Sequence, residues 1–472
     1  MVRVLALLAA ALLTACAVGP DYRAPAVADV AAHNLDGAHF SGQAPSSDWW
    51  QAFPDPLLTQ LEQRALAANL DIAQALEHVH AARAAFTESK LDYAPHVPLE
   101  LEYQRSKEQF PGFSSDRIDI AGYTAGFDAS WELDLFGHVR RSAEAAGARL
   151  GAQQATLADT QVRVAAEVAR NYFELRGAQR QLAVAHDNIA NEQEALRLTQ
   201  VRYDAGRVTE LDVDSALSRL KATEATVPLL EAAEKRADYR LAVLLCQKPG
   251  DLDDELTAAS SSPVWTDPLP LGDVSALLRH RPDVRIAERN LAAASAQVGV
   301  ATADLFPRVT VTGFVGFLTG DGAQLGAGSS RAWAVSPVLN WPALDFASAR
   351  ARLRATRAES AAVFDLYQQT VLGALEDFEN ATVNYGRQIA RLSSVVEQAD
   401  ASRRAARMAE IQYREGQINF LVLLDAQRTE LEAEDQVAQA ETAVNTGAVA
   451  VYKALGGVPA TADEPKIAAV DR

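Results

Sequence analysis

The chain is poor in the residues that would tie it to several common chemistries. Only two of its 472 residues are cysteine, Cys16 and Cys246, so it can hold at most one internal disulfide and no cysteine-rich metal cluster. Only two are methionine, Met1 and Met408, which argues against a thioether relay for soft metal ions. Neither Gly-x-x-x-x-Gly-Lys-Ser/Thr nor His-Glu-x-x-His occurs, which removes the phosphate loop and the zinc-protease helix. Gly320-x-Gly322 falls in an expected loop, so it is no dinucleotide fingerprint. His78 and His80 are two apart and point to different faces of a helix, as surface histidines do. Basic charge is also in deficit: 44 Lys and Arg stand against 62 Asp and Glu, a net −18, which argues against nucleic acid or anionic lipid headgroups as the main partner. No apolar run reaches the ~20 residues that a membrane helix requires.

The one apolar run near that kind, Val4 to Leu13, follows Arg3 and leads into small residues. That is signal-peptide grammar, and residues 1–15 are expected to be removed on export. Leu13-Thr14-Ala15-Cys16 is a lipobox: an apolar residue, two small ones, then a thiol that accepts diacylglycerol. Cys16 is therefore expected to carry lipid and to begin an anchored segment, residues 16–54. Ala17, rather than an acidic residue, follows, which favours the outer membrane. The alternative for Cys16 is a disulfide with Cys246; if Cys16 is a tether, Cys246 is unpaired and expected to be a small buried hydrophobe.

The remainder is written twice. Tyr203-Asp204-Ala205-Gly206 is echoed by Tyr413-Arg414-Glu415-Gly416, a shift of 210 residues that Leu135-Phe136 and Asp345-Phe346 also keep. Asp71-Ile72 meets Asp283-Val284, and Pro95-His96-Val97 meets Pro307-Arg308-Val309, at a shift of 212. The copies are read as residues 55–250 and 273–457, joined by a Pro-, Ser- and Asp-rich linker at 251–272 and followed by a tail at 458–472.

Each copy has the same internal order. Asp55-Pro56 supplies N-cap and N1 residues for a helical segment running through Lys90. Period-two alternation in Val97–Tyr103 and Ala121–Trp131 predicts a β-hairpin over 96–131, with a second over 308–340. Pro98 and Pro337 remove ladder donors and are expected near strand ends. After each hairpin comes a long helix with apolar residues seven apart, from Val168, Leu175 and Leu182 on, echoed by Phe378, Tyr385 and Leu392. Gly206 and Gly416 end these helices, and return helices are expected over Leu211–Leu245 and Leu421–Leu455. The fold class is mainly α with β: an internally duplicated chain of long coiled-coil-like hairpins plus four strands.

Four amphipathic strands in an exported lipoprotein suggest a membrane barrel. Four cannot close, and open edges cannot face lipid, so copies would have to share one barrel. Two chains would supply eight strands and a filled lumen; three would supply twelve and could leave a pore.

The sequence resembles the TolC-like outer-membrane efflux factors, specifically the OprM-type lipoproteins of resistance-nodulation-division systems. The resemblance rests on Gly19-Pro20-Asp21-Tyr22-Arg23-Ala24-Pro25, Asp48-Trp49-Trp50 with Phe53, Asn69 with Asp71, Trp131 through Gly137, Arg281-Pro282-Asp283, Phe306-Pro307, Tyr413 through Gly416 and Leu424 through Arg428. It covers nearly the whole mature chain. It implies a homotrimer with a twelve-stranded outer-membrane barrel, a periplasmic α-barrel and an equatorial girdle near the linker and termini. It also implies a periplasmic adaptor and an inner-membrane pump as partners, a passive exit route for small toxic compounds, no catalysis, and no cofactor beyond lipid on Cys16. A duct for type I protein secretion or for one dedicated metabolite uses the same fold. A lipoprotein scaffold without a pore would instead be a monomer. Cys246 departs from the family pattern, where a small residue such as glycine is expected.

Functional residues are expected at the hairpin tips, where the tube must narrow. The resemblance places Asp425 and Leu421 at a periplasmic gate, as a ring of carboxylates and an apolar constriction. Arg428 lies three residues beyond Asp425, a spacing that also suits an ordinary surface pair. Tyr413 and Arg414 are candidates to latch the closed state to a neighbouring hairpin through Asp204 or Asp212. The exposed tips Gly206, Arg207 and Val208, with Gly416, Gln417 and Ile418, are candidates for adaptor docking. Tyr103, Tyr123, Phe127, Trp131 and Trp333 are candidates for an interfacial aromatic girdle.

Overall fold

The computed structural model describes residues 17–25, 39–109, 116–257, 264–265, 267–274 and 279–457. Cys16, the expected signal segment and the tail 458–472 lie outside the described residues. In chain order the elements are β1 (Phe40–Ser41), α1 (Pro56–Ala68), α2 (Leu70–Leu91), β2 (Leu99–Glu108), β3 (Ile118–Leu133) and α3 (His138–Asp204). There follow α4 (Glu210–Glu224), α5 (Val227–Leu244), the single turn α6 (Asp253–Leu256), β4 (Leu269–Pro270) and α7 (Pro282–Ala303). The last are β5 (Arg308–Thr319), β6 (Arg331–Asn340), α8 (Phe346–Arg414) and α9 (Phe420–Ala454). Contacts divide the chain into two compact units, one of residues 1–26, 77–154 and 286–369, the other of 27–76, 155–285 and 370–472.

The first unit holds one four-stranded antiparallel sheet in the order β2-β3-β5-β6. The two hairpins meet through β3 and β5, from Tyr123 opposite Thr319 to Leu133 opposite Val309. Pro98 directly precedes β2, at a strand end. Pro337 does not: it lies inside β6, opposite Val311. β6 is an edge strand of this sheet, so a residue without an N–H costs no ladder bond when that position points to the open side.

The second unit shows why two expected helices are each broken. The segment from Pro56 to Leu91 divides at Asn69, whose extended backbone ends α1. Its side-chain oxygen caps α2, accepting from the N–H groups of Asp71 (2.9 Å) and Ile72 (3.3 Å). The segment from Glu210 to Leu244 breaks at Ala225-Thr226, with Pro228 in the first turn of α5. Asp55 caps α1 by accepting from Leu57 N (3.0 Å) and Leu58 N (3.4 Å), and it accepts a further bond from the buried Tyr172 hydroxyl.

The linker is ordered where it is described. Leu269–Pro270 pairs in parallel with Phe40–Ser41, and Leu269 is fully buried. Trp265 packs edge-on against Phe53, with ring centroids 4.9 Å apart. Trp49 stacks on Tyr452 of α9 at 4.9 Å, so a single aromatic cluster gathers the N-terminal segment and linker on α9.

The duplication extends to how each return helix ends. Asn69 donates from Nδ2 to the Leu244 carbonyl at the end of α5 (2.9 Å). At the corresponding place, Arg281 donates from Nη1 to the Ala454 carbonyl at the end of α9 (2.7 Å). Arg281 also reaches the Ala374 carbonyl (3.0 Å), Asp283 (2.7 Å) and Asp377 (3.2 Å), and so joins α7, α8 and α9. Both return helices close in a Schellman turn. Gln247 N donates to Ala242 O (2.8 Å) in one, and Gly457 N to Tyr452 O (3.1 Å) in the other. The left-handed position is Gly456 (φ 84°) in repeat two but Cys246 (φ 59°) in repeat one. Cys246 is exposed, not the buried hydrophobe expected: it sits at the left-handed position of the turn that ends α5.

Two stability predictions follow from these positions. Cys246→Gly relieves the cost of a side chain at positive φ and should raise stability by about 1 kcal/mol, read from the denaturant midpoint of the full chain. Glu62, on α1, is fully buried. Burial drives its carboxyl well above the usual carboxylate range, opposed only in part by the backbone at Ala169. The folded chain therefore keeps this proton when the unfolded chain loses it near pH 4.3. The contribution is full below that pH and is lost as pH rises toward the folded-state value, at up to about 1.4 kcal/mol per pH unit. Glu62→Gln should flatten this slope above about pH 4.3, read from denaturant midpoints across pH, and be the more stable protein at the alkaline end.

Candidate functional site

The sheet of the first unit has two chemically distinct faces, and strand register decides them. Opposed pairs on one face are Leu101 and Ala125, Tyr103 and Tyr123, Phe127 and Val315, Trp131 and Val311, Val315 and Trp333, and Val309 and Leu339. The other face carries Glu100, Glu102, Thr124, Asp128, Ser130, Thr310, Thr312 and Ser336, with Ile118, Ile120, Phe314, Leu318 and Val338 among them. The apolar face is open: Leu101, Phe127, Val315, Trp333, Val335 and Leu339 are all exposed. A soluble sheet would cover such a face; one lying in lipid would not. Among the described residues no helix is long and apolar enough to cross a membrane.

All five aromatic residues singled out from the sequence lie on this face. Tyr103 and Tyr123 stack across β2 and β3 at 4.7 Å. Trp131 is 38% exposed, and its indole N–H donates to the Tyr93 carbonyl (3.0 Å). Trp341 is its repeat-two equivalent and donates to the Leu305 carbonyl (3.2 Å). Each indole thus keeps an apolar body outward and satisfies its polar edge against the chain, as interfacial tryptophans do.

The Gly-Pro-Asp-Tyr stretch is held against the same unit. Val18 N donates to Phe136 O (3.1 Å), Asp21 accepts from the buried Arg141 guanidinium (2.7 Å), and Tyr22 donates to Glu288 (2.6 Å). A Cβ on Gly137 would stand 2.7 Å from the Ala17 side chain. Arg141 holds the Asp21 carboxyl below its usual range, and burial beside Glu288 pushes the Tyr22 phenol up.

In the second unit, Gly206 (φ 69°) and Gly416 (φ 74°) end α3 and α8 in left-handed turns with open space around them. Backbone conformation alone demands glycine there. Arg207 and Gln417 are exposed; Val208 and Ile418 are half-buried, and Ile418 packs partly on the apolar cluster beneath. That cluster is Ala216, Ala409, Tyr413, Phe420, Leu423 and Leu424, and it joins α4, α8 and α9.

The gate candidates stand close together, with partners the sequence did not name. Asp425 accepts from Arg428 at 2.7 Å on the exposed side of α9, so the pair of ordinary i,i+3 geometry does form. Leu421 is half exposed one turn earlier. Within the chain, Tyr413 and Arg414 do not reach Asp204 or Asp212. Arg414 pairs with Glu410, Asp204 accepts from Gln200 (3.0 Å), and Asp212 is the capping-box carboxylate of α4, accepting from Thr209 N (2.8 Å). Tyr413 is buried against Phe420 at 5.5 Å, with the Arg202 guanidinium 4.0 Å from its ring centre.

Arg219 was missed. It is nearly buried, pairs with buried Glu192 of α3 (3.0 Å), and donates to the Leu424 carbonyl immediately before Asp425. It ties α4 to both α3 and α9 at the level of the acidic residue. Its only mark in the sequence is a charge next to Leu220 on an otherwise apolar stripe. His78 and His80 form no metal site, and no group of three metal-ligating side chains exists among the described residues.

Comparison with known proteins gives these features a context. A family model described as outer membrane efflux protein matches residues 61–247 and 274–457. Nodulation protein T of Rhizobium leguminosarum bv. trifolii is 30% identical over 422 residues, 89% of each chain. The pyoverdine export outer membrane protein OpmQ of Pseudomonas putida is 32% identical over 440 residues, 88% of each chain. The solved structure of the outer-membrane channel OprN superposes with a TM-score of 0.89 at 46% identity, covering 94% of this chain and 99% of that one.

Proposed function

The chain belongs to the outer membrane efflux protein family, whose members are exit channels of efflux pumps and not enzymes, and from that premise we propose how this chain does it. Three copies close a twelve-stranded barrel in the outer membrane. The apolar sheet face meets lipid and the face carrying Glu100, Glu102, Asp128 and Thr312 lines the pore. The observation that carries this is the sheet itself: one exposed apolar face, one mainly polar face, and two edges, β2 and β6, without a partner among the described residues. Such edges are tolerated in hydrocarbon only when another strand pairs with them.

The helical hairpins continue the conduit on the periplasmic side, and a periplasmic adaptor docks on the tips at Gly206–Val208 and Gly416–Ile418. An inner-membrane pump supplies the cargo, small toxic compounds, which pass without chemical change. Cys16 carries the lipid anchor. Support for that comes from the next residues, Ala17 and Val18, which are seated beside Gly137 and Phe136 at the foot of β3.

The entrance is closed by a ring of Asp425 carboxylates with Leu421 as an apolar constriction. Arg428 partly neutralises each carboxylate, and Arg219 fixes the backbone that presents it. Asp425→Ala combined with Arg414→Ala should raise single-channel conductance in planar bilayers. Unchanged conductance would remove both residues from the gate.

A second reading, export of one dedicated metabolite, is favoured by the name of one relative, a pyoverdine export protein. Deleting the gene and challenging the host with antibiotics, dyes, detergents, bile salts, aromatic acids and metal ions separates the two. Hypersensitivity to several unrelated compounds, reversed by the wild-type gene, is expected for general efflux. Hypersensitivity to a single class would establish the dedicated route. Unaltered growth, even with parallel ducts deleted, would defeat both.

A further inference from the structure

The start of α8 carries charge that nothing in the chain explains. Arg350, Arg352, Arg354 and Arg357 fall within its first three to four turns, and all four are exposed. The first turn of α8 contains no acidic residue. The chain as a whole is acidic at −18, so its overall charge does not account for them. Arg352 donates to the Ser348 hydroxyl (3.0 Å), and Arg350 lies over the Phe346 ring (4.5 Å). Among the described residues none of the four is paired with a carboxylate.

Their arrangement is ordered. Arg350, Arg354 and Arg357 recur at i, i+4 and i+7, which places them on one stripe beside the buried residues Ala349 and Leu353. Between this stripe and the apolar sheet face stand Trp341, half exposed with its N–H satisfied by Leu305, and Leu344, fully exposed. From the first residue of α8 to Arg357 the helix rises roughly 16 Å. Apolar band, tryptophan, then a row of unpaired cations is the order in which side chains meet hydrocarbon, interface and headgroups.

We propose that Arg350, Arg354 and Arg357 form a docking surface for anionic phospholipid headgroups of the leaflet on the helical side of the barrel. The inference rests on the reading of the sheet as membrane-spanning. Guanidinium suits the partner, because its planar fork matches phosphate oxygens in two parallel bonds. In this arrangement the lipids neutralise the arginines and set the depth at which α8 leaves the bilayer.

The test is native mass spectrometry of the full-length oligomer released from detergent with added phosphatidylglycerol or phosphatidylethanolamine. Wild type should retain phosphatidylglycerol preferentially, and high salt should erode the preference. Arg350→Gln/Arg354→Gln/Arg357→Gln should lower the preference by about 10- to 100-fold, at the fewfold per cation expected near a charged surface. The Arg350→Lys/Arg354→Lys/Arg357→Lys protein should keep the salt-sensitive part of the preference and lose the part that bidentate binding adds, falling between wild type and the triple Gln variant, and Arg357→Gln alone should give an intermediate value with unchanged thermal midpoint. An unaltered preference in the triple Gln variant overturns the proposal. So does loss of the oligomer in that variant with lipid preference intact, since the arginines would then hold a second copy. Wild type retaining neither lipid also overturns the proposal, whereas absence of the wild-type chain from the outer-membrane fraction would refute the membrane-spanning reading on which it stands.

Discussion

Two unpaired strand edges bordering an exposed apolar face constrain everything else in this molecule. β2 and β6 present backbone donors and acceptors with no partner strand among the described residues, beside side chains that water disfavours. In hydrocarbon each such group costs several kcal/mol. The chain cannot be stable there alone, so its function is a property of an assembly. Pro337 is consistent with this constraint, because it removes a donor on the edge strand, where partner geometry rather than the chain's own ladder determines the cost.

The same economy of parts recurs in the helices. One design, a return helix whose last carbonyl is captured by the residue that opens an earlier helix of the same repeat, is executed twice with different chemistry. Asn69 suffices at Leu244; Arg281 serves at Ala454 and also reaches α8. A Cβ at Gly456 would stand 2.7 Å from the Arg281 side chain, so the larger capping residue and the glycine belong together. Where the smaller Asn69 does the capping, Cys246 occupies the turn and points to solvent. The repeats have diverged at a point where one member of each pair limits the other.

At the hairpin tips, tight intrachain packing and exposed charged and apolar side chains coexist. Tyr413, Phe420 and Leu423 form a buried cluster, while Leu421, Asp425 and Arg428 on the same helix remain exposed. Arg219 bridges the two sets through Glu192 and the Leu424 carbonyl. These bonds and the apolar cluster join α4 of one hairpin to α9 of the other, so the two hairpins of one chain are tied together near their tips.

Much of this was legible in the residues. The period-two strands, the seven-residue stripe, the two Gly-terminated hairpins and the duplication itself are local patterns, and local geometry follows from backbone sterics and side-chain periodicity. Helix breaks at Asn69 and Ala225-Thr226 were hidden, because asparagine and threonine are tolerated inside helices and only the neighbouring packing reveals them as caps. The exposure of Cys246 was hidden for a related reason: burial is decided by where a chain turns, not by how apolar a residue is. The partners of Asp212, Tyr413 and Arg219 depend on which helix faces come together. Sequence by itself determined the elements, their order and the two-faced chemistry of the strands. The tertiary structure alone decided the sheet order, the pairing of the two hairpins through β3 and β5, and which charges meet, because those contacts join residues far apart in the chain.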